Sequence, residues 1–334
     1  MGYVGKDAAL TLPNDYNGQT YKIYQYAFNG RNDLTSVVIS NGVTSIGPGA
    51  FIDCRGLTSV TIGNGVKTIE GSAFHSCFSL RDVTILNGVE LIGEYAFNSC
   101  KKLTNVTIPD SVTSIGIYAF AACNLLASVT IGNGLKEINS GAFVECYKLV
   151  EVINDSNLNI ERASTNNGYL GYYALNIKKG GTTEVVNKNG YLFYTYENVN
   201  YLLGYSDDEV NLVLPNNYNR QTYEIYQYAF YNNDNLKSVT IGNGAISIGE
   251  NAFYNCSGLT NVTIGKGVTF IYSWAFAVCR NLKSVKFNNV DGWKYYKNID
   301  SENGTEISRE ELSNTTSAAE CLTSDYGDFY WKRG

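Results

Sequence analysis

Apolar residues recur along most of the chain in two interleaved spacings, and both belong to one small unit. In Ser59-Val60-Thr61-Ile62 they alternate with polar residues and are β-branched, which predicts a short strand with Val60 and Ile62 inward. Gly63-Asn64-Gly65 brings turn chemistry that ends the strand, and a second apolar pair, Val66 and Ile69, follows it. Ala73-Phe74-His75-Ser76-Cys77 then has the spacing of one short helical or 3₁₀ turn that carries Phe74 and Cys77 inward. The predicted unit is strand, turn, extended segment, short helical turn. None of these pieces can bury its apolar side alone, so successive units must stack with their strands in a parallel sheet.

The repeat itself is explicit. Ala-Phe recurs at Phe28, Phe51, Phe74, Phe97, Phe120 and Phe143, always 23 residues apart, and resumes with the same step at Phe230, Phe253 and Phe276. A larger repeat lies above it: Leu10-Thr-Leu-Pro13 through Phe28 matches Leu212-Val-Leu-Pro215 through Phe230, an offset of 202. On that alignment Tyr3 falls on Tyr205, inside the aromatic segment before the second array, so the first copy is expected to be truncated at its start. The predicted organisation is a first array over 1–150, a β-rich insert over 151–211, a second array over 212–287 and a C-terminal cap over 288–334. Within the insert, Tyr172–Ile177, Thr182–Val186, Tyr191–Tyr196 and Asn200–Gly204 read as strands of a meander separated by turn residues. The tail carries Trp293, Tyr295, Tyr296, Tyr326, Phe329, Tyr330 and Trp331, which are expected to cover the open end of the stacked core.

The unit L-x-x-V-x-I-x-x-x-V-x-x-I-x-x-x-A-F-x-x-C closely resembles the BspA-like class of leucine-rich repeats, over residues 34–149 and 236–287, and the tail from Leu312 to Arg333 also looks like the C-terminal segment of bacterial proteins of that class. The resemblance implies a repeat solenoid of β-rich α/β character, with parallel-sheet arrays, short helical or 3₁₀ turns and a β-rich insert. Two departures stand out. The position after the strand that holds Asn in leucine-rich repeats at large is Gly42, Gly65, Gly88 or Gly134 here, with Ser111 once, so an asparagine ladder is not expected. The first unit of each array also lacks the cysteine, carrying Arg31 and Asn233 instead.

Composition narrows the chemistry. The 334 residues include 25 Lys+Arg against 31 Asp+Glu and no basic run, which argues against phosphate-driven nucleic-acid binding, and no apolar stretch is long enough to span a bilayer as a helix. One histidine, His75, rules out multi-histidine metal sites and disfavours a cell-envelope enzyme; it sits at a variable repeat position, which reads as surface. Cys54, Cys77, Cys100, Cys123, Cys146, Cys256 and Cys279 share one repeat position and are expected to be buried free thiols, because a column along an axis does not converge on a metal and parallel Cβ vectors suit disulfides poorly. Cys321 stands apart. Asp300-Ser-Glu-Asn-Gly304 lacks the ligand spacing of a calcium loop and reads as an acidic turn. Asn105, Asn261, Asn303 and Asn314 head glycosylation sequons, the first two of which arise from the strand consensus. No cofactor, metal or catalytic residue is predicted.

The remaining candidate is the outward strand face. Alternation and stacking align Ser59 and Thr61 with Asp82 and Thr84, Asn105 and Thr107, and Ser128 and Thr130 in the first array, and Ser238 and Thr240 with Asn261 and Thr263 in the second. Threonine also simply suits strands, and serine a solvated face. The resemblance implies a non-catalytic protein at the cell surface or outside the cell. It would bind a protein or glycan of a host or neighbouring cell through this face; the alternative is a stalk that displays other domains.

Overall fold

The computed structural model describes residues 5–334, in two compact units that divide between Glu184 and Val185. In the first unit each 23-residue turn of chain contributes two parallel strands on opposite sides of one apolar core. One side begins with a sheet of Ala9–Thr11, Ser36–Ile39, Ser59–Ile62 and Asp82–Ile85 and continues as a second sheet of Asn105–Ile108, Ser128–Ile131, Glu151–Asn154 and Asn176–Lys178. The other side is a six-stranded parallel sheet from Tyr21–Ile23 to Glu137–Ile138, most of its strands only two residues long. Register is strict: Val60 pairs with Val37 and Val83, and Ile62 with Ile39 and Ile85.

The Ala-Phe segment is not a helix. Ala73, His75 and Cys77 donate to the carbonyls three residues back, as a 3₁₀ turn would, but Ser72, Phe74 and Ser76 donate to Glu94, Ala96 and Asn98 of the next rung. Alternate amides thus serve the turn and the stack, and this requires left-handed backbone at two places per rung, Ser72 (φ 58°) and Ser76 (φ 59°) in this one. A helix would consume every amide locally; the stack needs half of them.

Phe28, Phe51, Phe74, Phe97, Phe120 and Phe143 consequently lie face over face, with ring centroids 4.7 to 5.3 Å apart and planes within 6° of parallel. Phe51 through Phe143 are wholly enclosed. The spacing is the strand spacing, so the side chains inherit it from the backbone ladder.

Residues 151–211 do not form a separate meander. Glu151–Asn154 and Asn176–Lys178 extend the first unit's sheet in parallel, while Val186–Lys188, Tyr191–Tyr196 and Val199–Tyr205 pair antiparallel in the second unit. Val199–Tyr205 then pairs in parallel with Tyr223–Ile225 and so opens the second array. Of the strand-like runs expected there, Tyr172–Leu175 and Thr182–Val185 stay outside strands.

The second unit repeats the scheme. Asn211–Val213, Ser238–Ile241, Asn261–Ile264 and Ser284–Phe287 form one parallel sheet, and a nine-stranded mixed sheet forms the other side. Its end is closed by the tail: Tyr330–Arg333 pairs antiparallel with both Phe270–Ile271 and Trp293–Tyr296, which buries Trp293 and Trp331 against Phe287. Two short helices, Arg309–Ser313 and Thr315–Glu320, seal the remainder with Leu312, Ala318 and Ala319. A reciprocal cap between Ser308 and Glu311 starts the first, and Asn314 caps the second.

Candidate binding face

The outward rows follow from register. In the first sheet Ser36, Ser59 and Asp82 stand side by side, with Val38, Thr61 and Thr84 in the next row. The second sheet of the same unit aligns Asn105, Ser128 and Glu151, and beside them Thr107, Thr130 and Ile153. In the second unit the rows are Asn211, Ser238, Asn261, Ser284 and Val213, Thr240, Thr263, Lys286. Asp82, Thr84, Asn105, Thr107, Thr240 and Asn261 are exposed, and Ser59, Thr61, Thr130, Ser238 and Thr263 half-buried.

Two features depart from one continuous strip. Asp82–Ile85 and Asn105–Ile108 belong to separate sheets. In neighbouring rungs the residue after the strand donates to the preceding rung, as Gly63 does to Ile39, Leu86 to Ile62 and Gly132 to Ile108, whereas Pro109 has no N–H for Ile85. Ser128, expected as a surface contact, is only 1% exposed. It points outward but is roofed: its hydroxyl donates to Glu151 Oε2 at 3.3 Å, and the same oxygen accepts from the Glu184 amide at 3.0 Å. Lys178 Nζ lies 2.9 Å from Glu151 Oε1 and 2.6 Å from Glu184 Oε1. Burial alone would lower the pKa of Lys178, but its hydrogen bonds to Glu184 and Glu151 outweigh it and hold the ammonium above the usual lysine range. Ser128 is therefore part of a covered ion-pair cluster and not a contact residue.

Val38 and Val213 were not singled out from sequence, yet they occupy the threonine row and are 41% and 68% exposed. Counting back 23 residues from Thr61 gives Val38 directly, so the signal was present in the period.

The thiol column is uniform. Cys54, Cys77, Cys100, Cys123 and Cys146 in the first unit, and Cys256 and Cys279 in the second, are buried and unpaired, and each Sγ donates to the Phe carbonyl of the preceding rung at 2.9 to 3.4 Å. Burial pushes the Cys54 thiol up to about 11 and Cys123 up to about 12, with Cys77, Cys100 and Cys146 raised well above the ordinary value. They are hydrogen-bonded apolar fillers with no thiolate to offer a metal or substrate. Cys321 is likewise buried, in the C-terminal helical segment.

An asparagine ladder does exist, one residue earlier than in the general pattern. Asn41 Oδ1 accepts from the Asn64 amide at 3.1 Å, Asp110 from Asn133 at 2.8 Å, and Asn243 from Lys266 at 3.1 Å. The following glycine is needed because the neighbouring rung passes close by: a Cβ on Gly65 would stand 1.7 Å from the Asn41 carbonyl oxygen.

His75 is half-buried, its ring edge-on to Tyr95 at 6.4 Å and its Nδ1 without a hydrogen bond. Among the described residues no group of three or more His, Cys, Asp or Glu is placed to hold a metal ion, and no helix is long and apolar enough to cross a membrane.

No curated protein matches the chain. Among solved structures it is similar to a leucine-rich repeat protein of T. pallidum, at 35% identity over 48% of this chain and 74% of that one, with a TM-score of 0.45. A leucine-rich cell surface protein of Faecalibacterium prausnitzii is 22% identical over 86% of this chain and 83% of that one, with a TM-score of 0.35. A leucine-rich repeat protein of Bacteroides ovatus is 23% identical over 84% and 80%, with a TM-score of 0.43. The sequence profile of the BspA type leucine rich repeat region matches residues 21–165 and 211–317 in six copies. With that match over well more than half its length, on a stacked parallel-strand framework with the Ala-Phe-x-x-Cys column in its core, the chain belongs to the BspA-type leucine-rich repeat family.

Proposed function

We propose that this chain is a non-catalytic interaction protein of the cell surface or extracellular space. It binds a protein or glycan of a host or neighbouring cell through the outward strand rows. The observation that carries the reading is the pair of aligned, exposed, weakly charged rows, Asp82 and Thr84 in one sheet and Asn105 and Thr107 in the next, with side chains that can exchange hydrogen bonds with a partner at little desolvation cost. Family membership adds that such repeats serve protein interaction. The eleven accessible rows' residues are Ser59, Thr61, Asp82, Thr84, Asn105, Thr107, Thr130, Ser238, Thr240, Asn261 and Thr263. Ser128 is omitted because it is covered.

The test is equilibrium binding of the chain to immobilised fibronectin, fibrinogen and a glycan panel at physiological salt, beside the Asp82→Lys/Thr107→Lys double variant. Saturable binding that the folded variant loses is the expected result. Silence across the panel would favour a stalk that displays other domains.

A further inference from the structure

The outward face of the nine-stranded sheet in the second unit carries a row that the strand-face reading leaves unused. Tyr201, Glu224, Ser247, Phe270 and Lys332 stand side by side on successive strands. Next to this row, Tyr272 lies 4.5 Å from Phe270 and 6.2 Å from Tyr330 between ring centroids, and Tyr330 is paired across the ladder with Tyr296. The loop over residues 297–304 rises beside these rings. It leaves an open cleft of about 490 Å³ lined by Asn298, Ile299, Asp300, Ser301 and Tyr330. A narrower pocket of about 150 Å³ adjoins it through Ile299, Ser301 and Tyr330, and brings in Phe270, Tyr296, Glu302 and Lys332.

The Tyr296 ring rests on Gly304 so closely that a Cβ there would stand 2.4 Å from a ring carbon, so only glycine lets the ring lie in this position. Farther along the row, beyond the cleft, burial and then the charge of the half-buried Glu224 push up the pKa values of Tyr201 and Tyr272. Flat apolar faces thus alternate with hydroxyl, carboxylate and ammonium groups over a shallow surface.

That alternation matches one ligand chemistry. A sugar ring offers an apolar C–H face to an aromatic ring and a rim of hydroxyls to side chains that can accept and donate, whereas a purely apolar ligand would leave the polar groups unpaired. Charge selects further: among the lining residues Asp300 and Glu302 outnumber Lys332, which opposes sulfated or uronic polymers. We propose that this cleft binds a neutral oligosaccharide laid across the strands, with sugar rings against Phe270, Tyr296 and Tyr330 and hydroxyls on Ser301, Glu302 and Lys332. The site is separate from the rows on the opposite sheet and stands whether or not those rows bind anything.

The test is isothermal titration of the full chain with hexasaccharides of β-1,4-glucose, β-1,4-N-acetylglucosamine and β-1,4-mannose, and with a heparin hexasaccharide. At least one neutral hexasaccharide binds saturably. Tyr330→Ala and Glu302→Ala each weaken it by about tenfold or more, while Tyr330→Phe, which keeps the ring, stays within about threefold. Asp82→Lys/Thr107→Lys leaves this binding unchanged, which separates it from the strand-face reading. Glu302 is exposed, so its variant reports on the site even if Tyr330→Ala melts early. Absence of binding to all three neutral sugars, binding to heparin alone, or wild-type affinity in a folded Glu302→Ala and Tyr330→Ala pair overturns the proposal.

Discussion

At the residue scale the rung is held by backbone that most side chains resist. The place two residues after each phenylalanine is left-handed throughout, and it carries Gly30, Asp53, Ser76, Ser99, Ala122 and Glu145 in the first unit and Asn232, Asn255 and Val278 in the second. Glycine and asparagine tolerate that conformation, and a β-branched residue does so least, because its Cβ branches crowd the following carbonyl. Val278, at φ 60°, is the worst case. Only half-buried, it recovers part of that strain by packing. Val278→Asn is therefore expected to stabilise the second unit by about 0.5–1 kcal/mol, since the same column already accepts Asn255 at φ 51°. Chemical denaturation decides it, and a midpoint at or below that of the parent chain would show that packing by Val278 outweighs its strain.

At the element scale, the thiol column gives the stack a pH limit. A group whose folded pKa lies above its unfolded value stabilises fully below the unfolded pKa and loses that contribution as pH climbs through the folded one. Burial raises Cys54 to about 11 and Cys123 to about 12, against an unfolded thiol near 9. In the unfolded chain these thiols ionise first, so the contribution of Cys54 and Cys123 is level to about pH 8.5 and falls above it, by about 1.5 kcal/mol for each of the two at pH 10. Urea unfolding with reductant at pH 8 and pH 10 should show this drop, and Cys123→Ala should shrink it by one thiol's share. Equal stability at the two pH values would mean the thiols are not protonated fillers. The column itself was legible from the 23-residue period, because identical positions in a stack must share an environment. The carbonyl partner was not, since it depends on how closely Cys100 approaches Phe74 across rungs. The left-handed turn was hidden for a related reason. Ala73 to Cys77 carries no glycine, and its i to i+3 spacing is shared by a helix and by a turn whose alternate amides leave for the next rung.

At the scale of the whole molecule, what could not be read locally is where one core stops. Tyr and Asn dominate from 151 onward, and strand-like runs look alike whether they finish one sheet or begin another, so the segment reads as one insert. The apolar cores decide otherwise. The first takes its final members from Ala174 and Ile177, and the second starts at Tyr191 and Phe193. Between them, Lys179 and nearly every residue from 181 to 189 are exposed, and at Gly180 and Gly181, with φ 67° and 95°, a side chain would meet only open space. Exposed backbone with glycine and few packed side chains opens locally at little cost, and that opening is what a protease requires. Brief trypsin treatment should cut first after Lys179 or Lys188 and leave two resistant products that divide the chain there, identified by intact mass. Each product contains one complete core, so each should melt cooperatively on its own. Initial cleavage inside an array, or products that lose their cooperative transitions once separated, would show that the two cores are not independent folding units.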